Sequence, residues 1–498
     1  MTKLLIFHLY YVALIYRCTI PQHLMVGNET QTICVVADCK SLRDLITHDD
    51  RVSREEVSME QKQSKEIVAI VKHDGSSHFL KKAMELCNGL DGLNTKDKVL
   101  LKPNVLWGGT KAFPQFGRVT TSTIVGELLQ ILRDRGCTDI TIGEGTILNE
   151  EMGSTTMRGY QWSGIEKVAK RYGARLVDFN SEPYEEVHLE NIRAKISKPA
   201  LECDFLIDLP VLKAHAQTKI SLGMKNLKGC LAMSSKQTFH RHRLGLNHLI
   251  ALLNMKIRPS LTIIDGIYGL ERGPDFVGAI PHRMDLIIAG KDVFSCDIVG
   301  AMVMGIQPEG VEHLKEFASL SSLTVSLDGV EVRGEPINQV VQKFEWRRSN
   351  EDILSQAGIT GVTVQEPGLS LCSGCMIIMG ALVAVLTKDC PGLSLDGLEI
   401  CGGREVKAKR DSKKVFLVGD CAVSANKDLK NAVMIKGCPP SVANTVMALV
   451  RKGLPQQKAY KILMSRMLKG IGTKIGVYDE SFPSFGVCRP PEFDKNHF

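Results

Sequence analysis

Aromatic residues are scarce in this chain, at 6% of 498 positions, and no basic stripe is interleaved with them. A net charge of only +7 adds little pull toward phosphate. Together these argue against a nucleic-acid partner, whose recognition needs both cations and stacking rings. Long apolar runs are also missing. The run over residues 4–16 is interrupted by His8 and falls short of the roughly 20 residues of a membrane span. No small-residue cleavage site follows it, so it does not read as a secretory signal. Internal repeats and low-complexity tracts are absent. Fifteen cysteines in 498 residues are far too few for a disulfide scaffold.

One absence is local. Between Asp208 and Asp265 there is no carboxylate, while the interval holds Lys213, Lys219, Lys225, Lys228, Lys236, Lys256, Arg241, Arg243 and Arg258, a charge of +9. The rest of the chain is therefore slightly acidic. Solvated surfaces intersperse both signs, whereas a cleft for an anion does not.

The chain is too long for one ordinary core, so two or three domains are expected. Residues 1–64 read as an N-terminal extension, disordered or the product of a mis-assigned start. Residues 65–305 read as an α/β ligand-binding domain, 306–365 as a connector, 366–450 as a cysteine-bearing module and 451–498 as a tail. Within 65–305, apolar runs at 98–102, 139–142, 175–178, 205–209, 261–264 and 285–289 alternate with helical spacing at 77–90, 122–135, 163–172, 248–257 and 292–304. That alternation predicts an α/β fold, a mainly parallel sheet with helices on both faces, plus a smaller C-terminal cysteine-bearing domain. Several predicted strands end in polar or glycine residues: Lys102-Pro-Asn104, Gly143-Glu-Gly145, Lys213-Ala-His215 and Asp265-Gly266. In open parallel sheets, ligands bind at the carboxyl ends of strands.

On that edge Lys102, Lys213, Lys225 and Lys228 are candidate point charges for a carboxylate or phosphate. Thr120, Thr121 and Ser122 open a predicted helix, a ready anion site or simply a cap. His215 is the candidate general acid/base, with Glu144 as partner or second base and Lys225 beside them. Asn104 and Asn226 would orient the ligand, an anionic small molecule. The run His240-Arg-His-Arg243 reads as a mobile surface.

The remaining chemistry lies in cysteines. Cys18, Cys34, Cys39, Cys87, Cys137, Cys203, Cys230 and Cys296 are scattered and read as small buried hydrophobes. Cys372-Ser-Gly-Cys375, Gly419-Asp-Cys421-Ala and Gly437-Cys438-Pro-Pro440 form a set that fits either tetrahedral zinc or a 4Fe-4S cluster. The sixteen residues between Cys421 and Cys438, and the prolines after the latter, favour the cluster. Cys390 and Cys401 stand outside the pattern as substitute ligands. Metal rather than disulfides implies a reducing, cytoplasmic setting.

The CSGC, GDCA and GCPP pieces resemble the cluster-binding motifs of the small subunits of nickel–iron hydrogenases and of complex I, over roughly residues 368–445. The KPN, TTS, GEG, LKxH and MKNLKG elements together resemble the family catalogued as domain of unknown function 362, over about residues 66–305. That family is distantly similar to the lactate-racemase catalytic subunit. The similarity implies an organonickel nicotinic-acid-derived cofactor handled by His215 and Lys225. The racemase's second histidine has no counterpart here, since Glu144-Gly145-Thr146 stands where it is expected.

The expected function is an iron–sulfur oxidoreductase acting on a bound anion, with a redox partner protein. Two alternatives stand beside it: a redox-neutral racemase or isomerase with a structural cluster, and a non-enzymatic electron carrier or cluster scaffold.

Overall fold

The computed structural model describes residues 65–73, 78–106, 108, 116–148, 153–242, 244–273, 279–347, 349–365, 370–409, 411–459, 462 and 495–498. The N-terminal extension, Cys18, Cys34, Cys39, Arg243 and most of the tail lie outside the described residues.

The main sheet is built from β1 (Glu66–Lys72), β2 (Val99–Pro103), β3 (Ile140–Glu144), β4 (Arg175–Asp178), β7 (Phe205–Leu209), β10 (Leu261–Glu271), β11 (Ile280–Gly290) and β12 (Val330–Gly334). A separate antiparallel hairpin supplies β5 (Tyr184–Leu189) and β6 (Ile192–Ser197). The spatial order is β12-β1-β11-β10-β7-β2-β3-β4. From β10 to β4 every pairing is parallel. The strand β11 runs antiparallel to both β1 and β10, so the sheet is mixed. Two further short strands, β8 (Val211–His215) and β9 (Lys219–Ile220), branch from the C-terminal half of β10.

Why these strands lie in the middle of the molecule follows from their alternation. In β1, Val68 and Ile70 enter one core while Ala69 and Val71 enter the other. A strand apolar on both faces must be covered on both. The helices α1 (Phe79–Leu86), α2 (Ser122–Asp134) and α3 (Ile165–Tyr172) cover one face. On the opposite face lie α4 (Met233–Arg241), α5 (Gly245–Lys256) and α6 (Val293–Val303). Each fully buried Leu or Ile in these layers contributes roughly 2 kcal/mol.

A second, wholly parallel sheet follows, of β13 (Thr360–Gln365), β14 (Ser394–Gly402), β15 (Lys414–Val418) and β16 (Val433–Ile435). The helix α7 (Ser373–Asp389) crosses between β13 and β14 and packs Met379, Leu382 and Leu386 against Ile400 and Phe416. The described residues nevertheless cluster as one compact unit, so the expected smaller C-terminal domain is not set apart.

Candidate functional site

The carboxyl ends of β2, β3 and β7 meet at a buried network. Lys102 is fully buried and its Nζ lies 2.9 Å from Glu144 Oε2. The same ammonium donates to Pro103 O at 2.9 Å and to Asn226 Oδ1 at 3.3 Å. Glu144 also accepts from the amides of Val105 at 3.0 Å and Gly145 at 2.7 Å. Asn226 donates to Asp208 Oδ1 at 2.8 Å and accepts from Asn104 Nδ2 at 2.9 Å. Burial pushes the Asp208 carboxyl well up, and its Oδ2 lacks a hydrogen-bond partner, so the neutral acid fits this position. Lys102, Glu144 and Asn226 thus satisfy one another. They hold the floor of the site, and their polar groups are largely spent on it.

Sequence motifs interlock at this floor. A Cβ on Gly229, the last residue of MKNLKG, would stand 2.2 Å from Glu144 Oε1 and 2.5 Å from Lys102 Nζ. Only glycine lets the loop lie directly on the ion pair.

Above the floor, cations dominate. Lys213, on β8, is buried and donates to Asn104 Oδ1 at 2.6 Å and to Arg118 O at 3.1 Å. Burial, opposed by Glu144 and aided by Lys102 and Arg118, pulls its ammonium down to about 7. Lys225, half-buried in the helical turn Gly223–Asn226, has one long hydrogen bond, to Ser221 Oγ at 3.3 Å. Burial and then Lys213 bring it to about 7 as well. Lys228 lies 2.7 Å from His240 Nε2. Burial, then Lys225 and Lys236, depress it strongly, while Cys372 acts the other way.

His215 ends β8 and is 1% exposed. Its Nδ1 accepts the Gln217 amide at 3.0 Å, which assigns the ring proton to Nε2. Burial, then Lys225, Lys213, His240 and Lys228, hold the imidazole well below its ordinary range, so the ring is neutral.

Of the two roles expected for the Thr120–Ser122 segment, its position matches the helix cap rather than the anion site. Thr121 is the N-cap of α2, but its side chain makes no capping hydrogen bond. Its amide donates to Asp265 Oδ2 at 2.7 Å. Thr120 Oγ1 donates to Leu209 O at 2.7 Å and accepts from Asn104 N at 2.8 Å. Ser122 Oγ donates to His497 O at 3.0 Å. This helix start faces a carboxylate and the terminal segment, so it is a brace for Asn104 rather than an open anion seat.

The cysteines of the three motifs come together. Burial and the sulfurs of Cys372, Cys438 and Cys421 bear on Cys375, with the Cys375 thiol hydrogen-bonded to Cys372 foremost among them. That bond, then the Cys375 and Gly374 amides and Lys228, lowers Cys372 to about 6. Cys372 is also the N-cap of the 17-residue helix α7, where a thiolate is favoured. Ala216, next to His215, packs with Cys372 against Leu371, Cys375 and Met376. The thiols therefore adjoin the basic site. Cys390 and Cys401 are buried in the cores of the second sheet, apart from the four. Among the described residues, no three or more His, Cys, Asp or Glu side chains form a group that could hold a metal ion, the four motif cysteines included.

Four contributors escaped the sequence reading. Asp208 is a buried strand-end partner and Lys236 a buried one on α4; the Lys236 ammonium donates to Gly145 O and is drawn to about 8, chiefly by burial. His240 and Arg241 were expected on a mobile surface, yet His240 turns inward to Lys228 and Arg241 Nε donates to Cys438 Sγ at 3.0 Å. Their place at the end of the amphipathic helix α4 was the available signal. An open cleft of about 500 Å³ between the β5–β6 hairpin and α4, lined by Glu186, Arg193, Lys195, Ser234, Thr238 and His242, lies outside the lysine cluster.

Residues 99–302 match the family described as Domain of unknown function (DUF362). The chain is 30% identical over 222 residues to the thylakoid-associated protein sll1697 of Synechocystis sp., covering 43% of this chain. It spans 64% of that relative's length. Among solved structures, the lactate racemase apoprotein of Thermoanaerobacterium thermosaccharolyticum aligns at 12% identity and a TM-score of 0.35, over 85% of this chain and 91% of that one. A Thermotoga maritima protein aligns at 15% identity and a TM-score of 0.31, over 65% and 70%. Likenesses this distant carry no inference about chemistry. Among the described residues, no helix is long and apolar enough to cross a membrane.

Proposed function

We propose that the chain is an enzyme that binds an anionic small molecule at the carboxyl edge of the main sheet and moves a proton on it without net redox change, as a racemase or isomerase does. One observation carries this reading. Lys213 and Lys225, whose amines burial brings to about 7, both act electrostatically on a neutral His215 whose Nδ1 accepts the Gln217 amide and whose Nε2 therefore bears the proton. Amines near 7 can take up a proton at neutral pH as an anion arrives and so become the cations that hold it, and the imidazole N–H beside them can donate a hydrogen bond. A proton lost from a C–H bond of the ligand would pass to a depressed amine of the cluster that the anion leaves unpaired and return from that same ammonium, so atoms and electrons balance.

A second reading is favoured by the adjacency of Ala216 and Cys372. In it Cys372, Cys375, Cys421 and Cys438 hold a 4Fe-4S cluster, and the enzyme is an oxidoreductase with a partner protein. The donor set fits such a group. Four thiols converge, one at a helix N-terminus, and Arg241 and Lys228 offset negative charge beside them. When bound, a cluster supplies single-electron transfer. The likeness of residues 368–445 to iron–sulfur small subunits rests on the three cysteine motifs alone. In this reading the protein works in a reducing, cytoplasmic setting, where its thiols stay available as ligands.

The two readings part in one experiment. Anaerobically purified protein is incubated in D2O with a panel of chiral 2-hydroxy and 2-amino acids, and NMR follows deuterium entering the α-carbon. Exchange that His215→Ala abolishes, with an unchanged optical and EPR spectrum, supports proton transfer. No exchange, with turnover only in the presence of an electron-accepting dye, replaces it with the oxidoreductase reading.

A further inference from the structure

The charges around Lys213 and Lys225 specify more than "anion". Glu144 acts on Lys213 through space, yet its oxygens already accept from Lys102, Val105 N and Gly145 N. Asp297, packed under the Gly223–Asn226 turn, is directed to the amides of Gly223 at 2.7 Å and Met224 at 3.0 Å. Asp208 is bound to Asn226. Arg118, His215, His240 and His313 bring no negative charge to the two ammoniums, and His313 is itself depressed by burial and by Lys225. Lys228 already has an anionic neighbour in Cys372. What is left is a pair of buried or half-buried ammoniums with no carboxylate of their own among the described residues.

Their donors are also under-used. An ammonium offers three N–H groups. Lys213 places two on carbonyl oxygens, and Lys225 makes one contact at 3.3 Å. Unpaired buried cations are costly, and a single negative charge between two of them leaves one uncompensated.

Resting on the anion pocket proposed above, we infer that the anchoring end of the ligand is a dianion, two negative charges held close together between Lys213 and Lys225. A phosphate monoester and a malonate-type dicarboxylate share this chemistry. Either would accept from Lys225 and complete Lys213. The Asn104 amide, fixed on Asn226 and Lys213, sets the edge of the seat.

The test is calorimetric titration of the full chain at pH 8 with inorganic phosphate, malonate, acetate and lactate, in buffers of different ionisation enthalpy. At least one dianion should bind about tenfold or more tighter than either monoanion, a gap of at least about 1.4 kcal/mol. It should also draw in up to about two protons, because both amines are mostly neutral at that pH and become charged on binding. Phosphate outranking malonate identifies a phosphate ester, and the reverse order a dicarboxylate. Lys225→Gln, checked for an unchanged melting curve, should erase the preference and reduce proton uptake. Equal affinity for monoanions and dianions without proton uptake overturns the dianion inference and leaves the pocket standing. Failure of all four anions to bind overturns both.

Discussion

Arg241 Nε donates to Cys438 Sγ at 3.0 Å, which ties the last turn of α4 to the last cysteine of the motif set. The preceding residue, His240, lies 2.7 Å from Lys228. One helix end therefore touches both the thiol group and the lysine cluster, although 197 residues separate Arg241 from Cys438.

Arg241→Gln removes a cation beside the thiols without enlarging a cavity. If the four cysteines carry a cluster, adding an electron becomes harder once that positive charge is gone. The midpoint potential should fall by on the order of tens of millivolts, read by redox titration of the optical or EPR signal. An unchanged potential would place Arg241 outside the electrostatics of the cluster.

Gly229→Ala tests the contact between loop and ion pair. Its Cβ would meet Glu144 Oε1 at 2.2 Å and Lys102 Nζ at 2.5 Å, and neither partner has room to retreat. The expected cost is about 2–4 kcal/mol, combining overpacking with a stretched buried pair. Urea denaturation measures it. Gly392→Ala is a useful control, because nothing lies within 4 Å of its Cβ and any cost there comes from its positive φ of 70°.

Lys102 and Glu144 call for a double-mutant cycle. Removing either partner leaves a buried charge, so Lys102→Met or Glu144→Gln should each cost about 3–5 kcal/mol. The double variant should cost less than the two singles together, because no orphan charge remains. Additive costs would mean that Val105 N, Gly145 N and Asn226 satisfy each partner independently.

Much of this was legible in the chain. The strands 205–209 and 175–178 are predicted to the residue, because each is bounded by polar or turn residues. The gathering of Lys102 and Glu144 on one edge follows from parallel topology, whereas Lys213 and His215 stand on the separate strand β8 rather than at the end of 205–209. Three things were not legible. The antiparallel β11 looks the same as a parallel strand, since Leu286, Ile287, Ile288 and Ala289 are apolar on both faces. The β5–β6 hairpin was missed although Val187, Leu189, Ile192, Ala194 and Ile196 alternate with charges, the period of a half-buried strand. The role of Thr121 depends on Asp265, 144 residues away, and no local pattern reveals that partner. The DUF362 match over residues 99–302 agrees with the motif reading, which covered the same strands.

Stability against pH follows from the same lysines, and its sign can be worked out. Lys213 and Lys225 are each near 7 in the folded chain against 10.5 for an unhindered amine. Their folded values are depressed, so between pH 7 and pH 10.5 the unfolded chain binds more protons than the folded one. Raising pH through that window should therefore stabilise the anion-free protein, the reverse of a salt-bridged lysine. Asp297 opposes this lower on the scale. Burial raises it from 3.8 to about 8, so its contribution to stability falls as pH climbs between those values. Melting temperature against pH should accordingly dip toward neutrality and recover toward pH 9–10, until other groups intervene. Lys213→Met should flatten the rising limb, and so should saturating phosphate or malonate, because a bound dianion restores the amines toward their ordinary range. A rising limb that survives both changes would locate its origin in Lys228 or Lys236 instead, whose ammoniums are depressed as well.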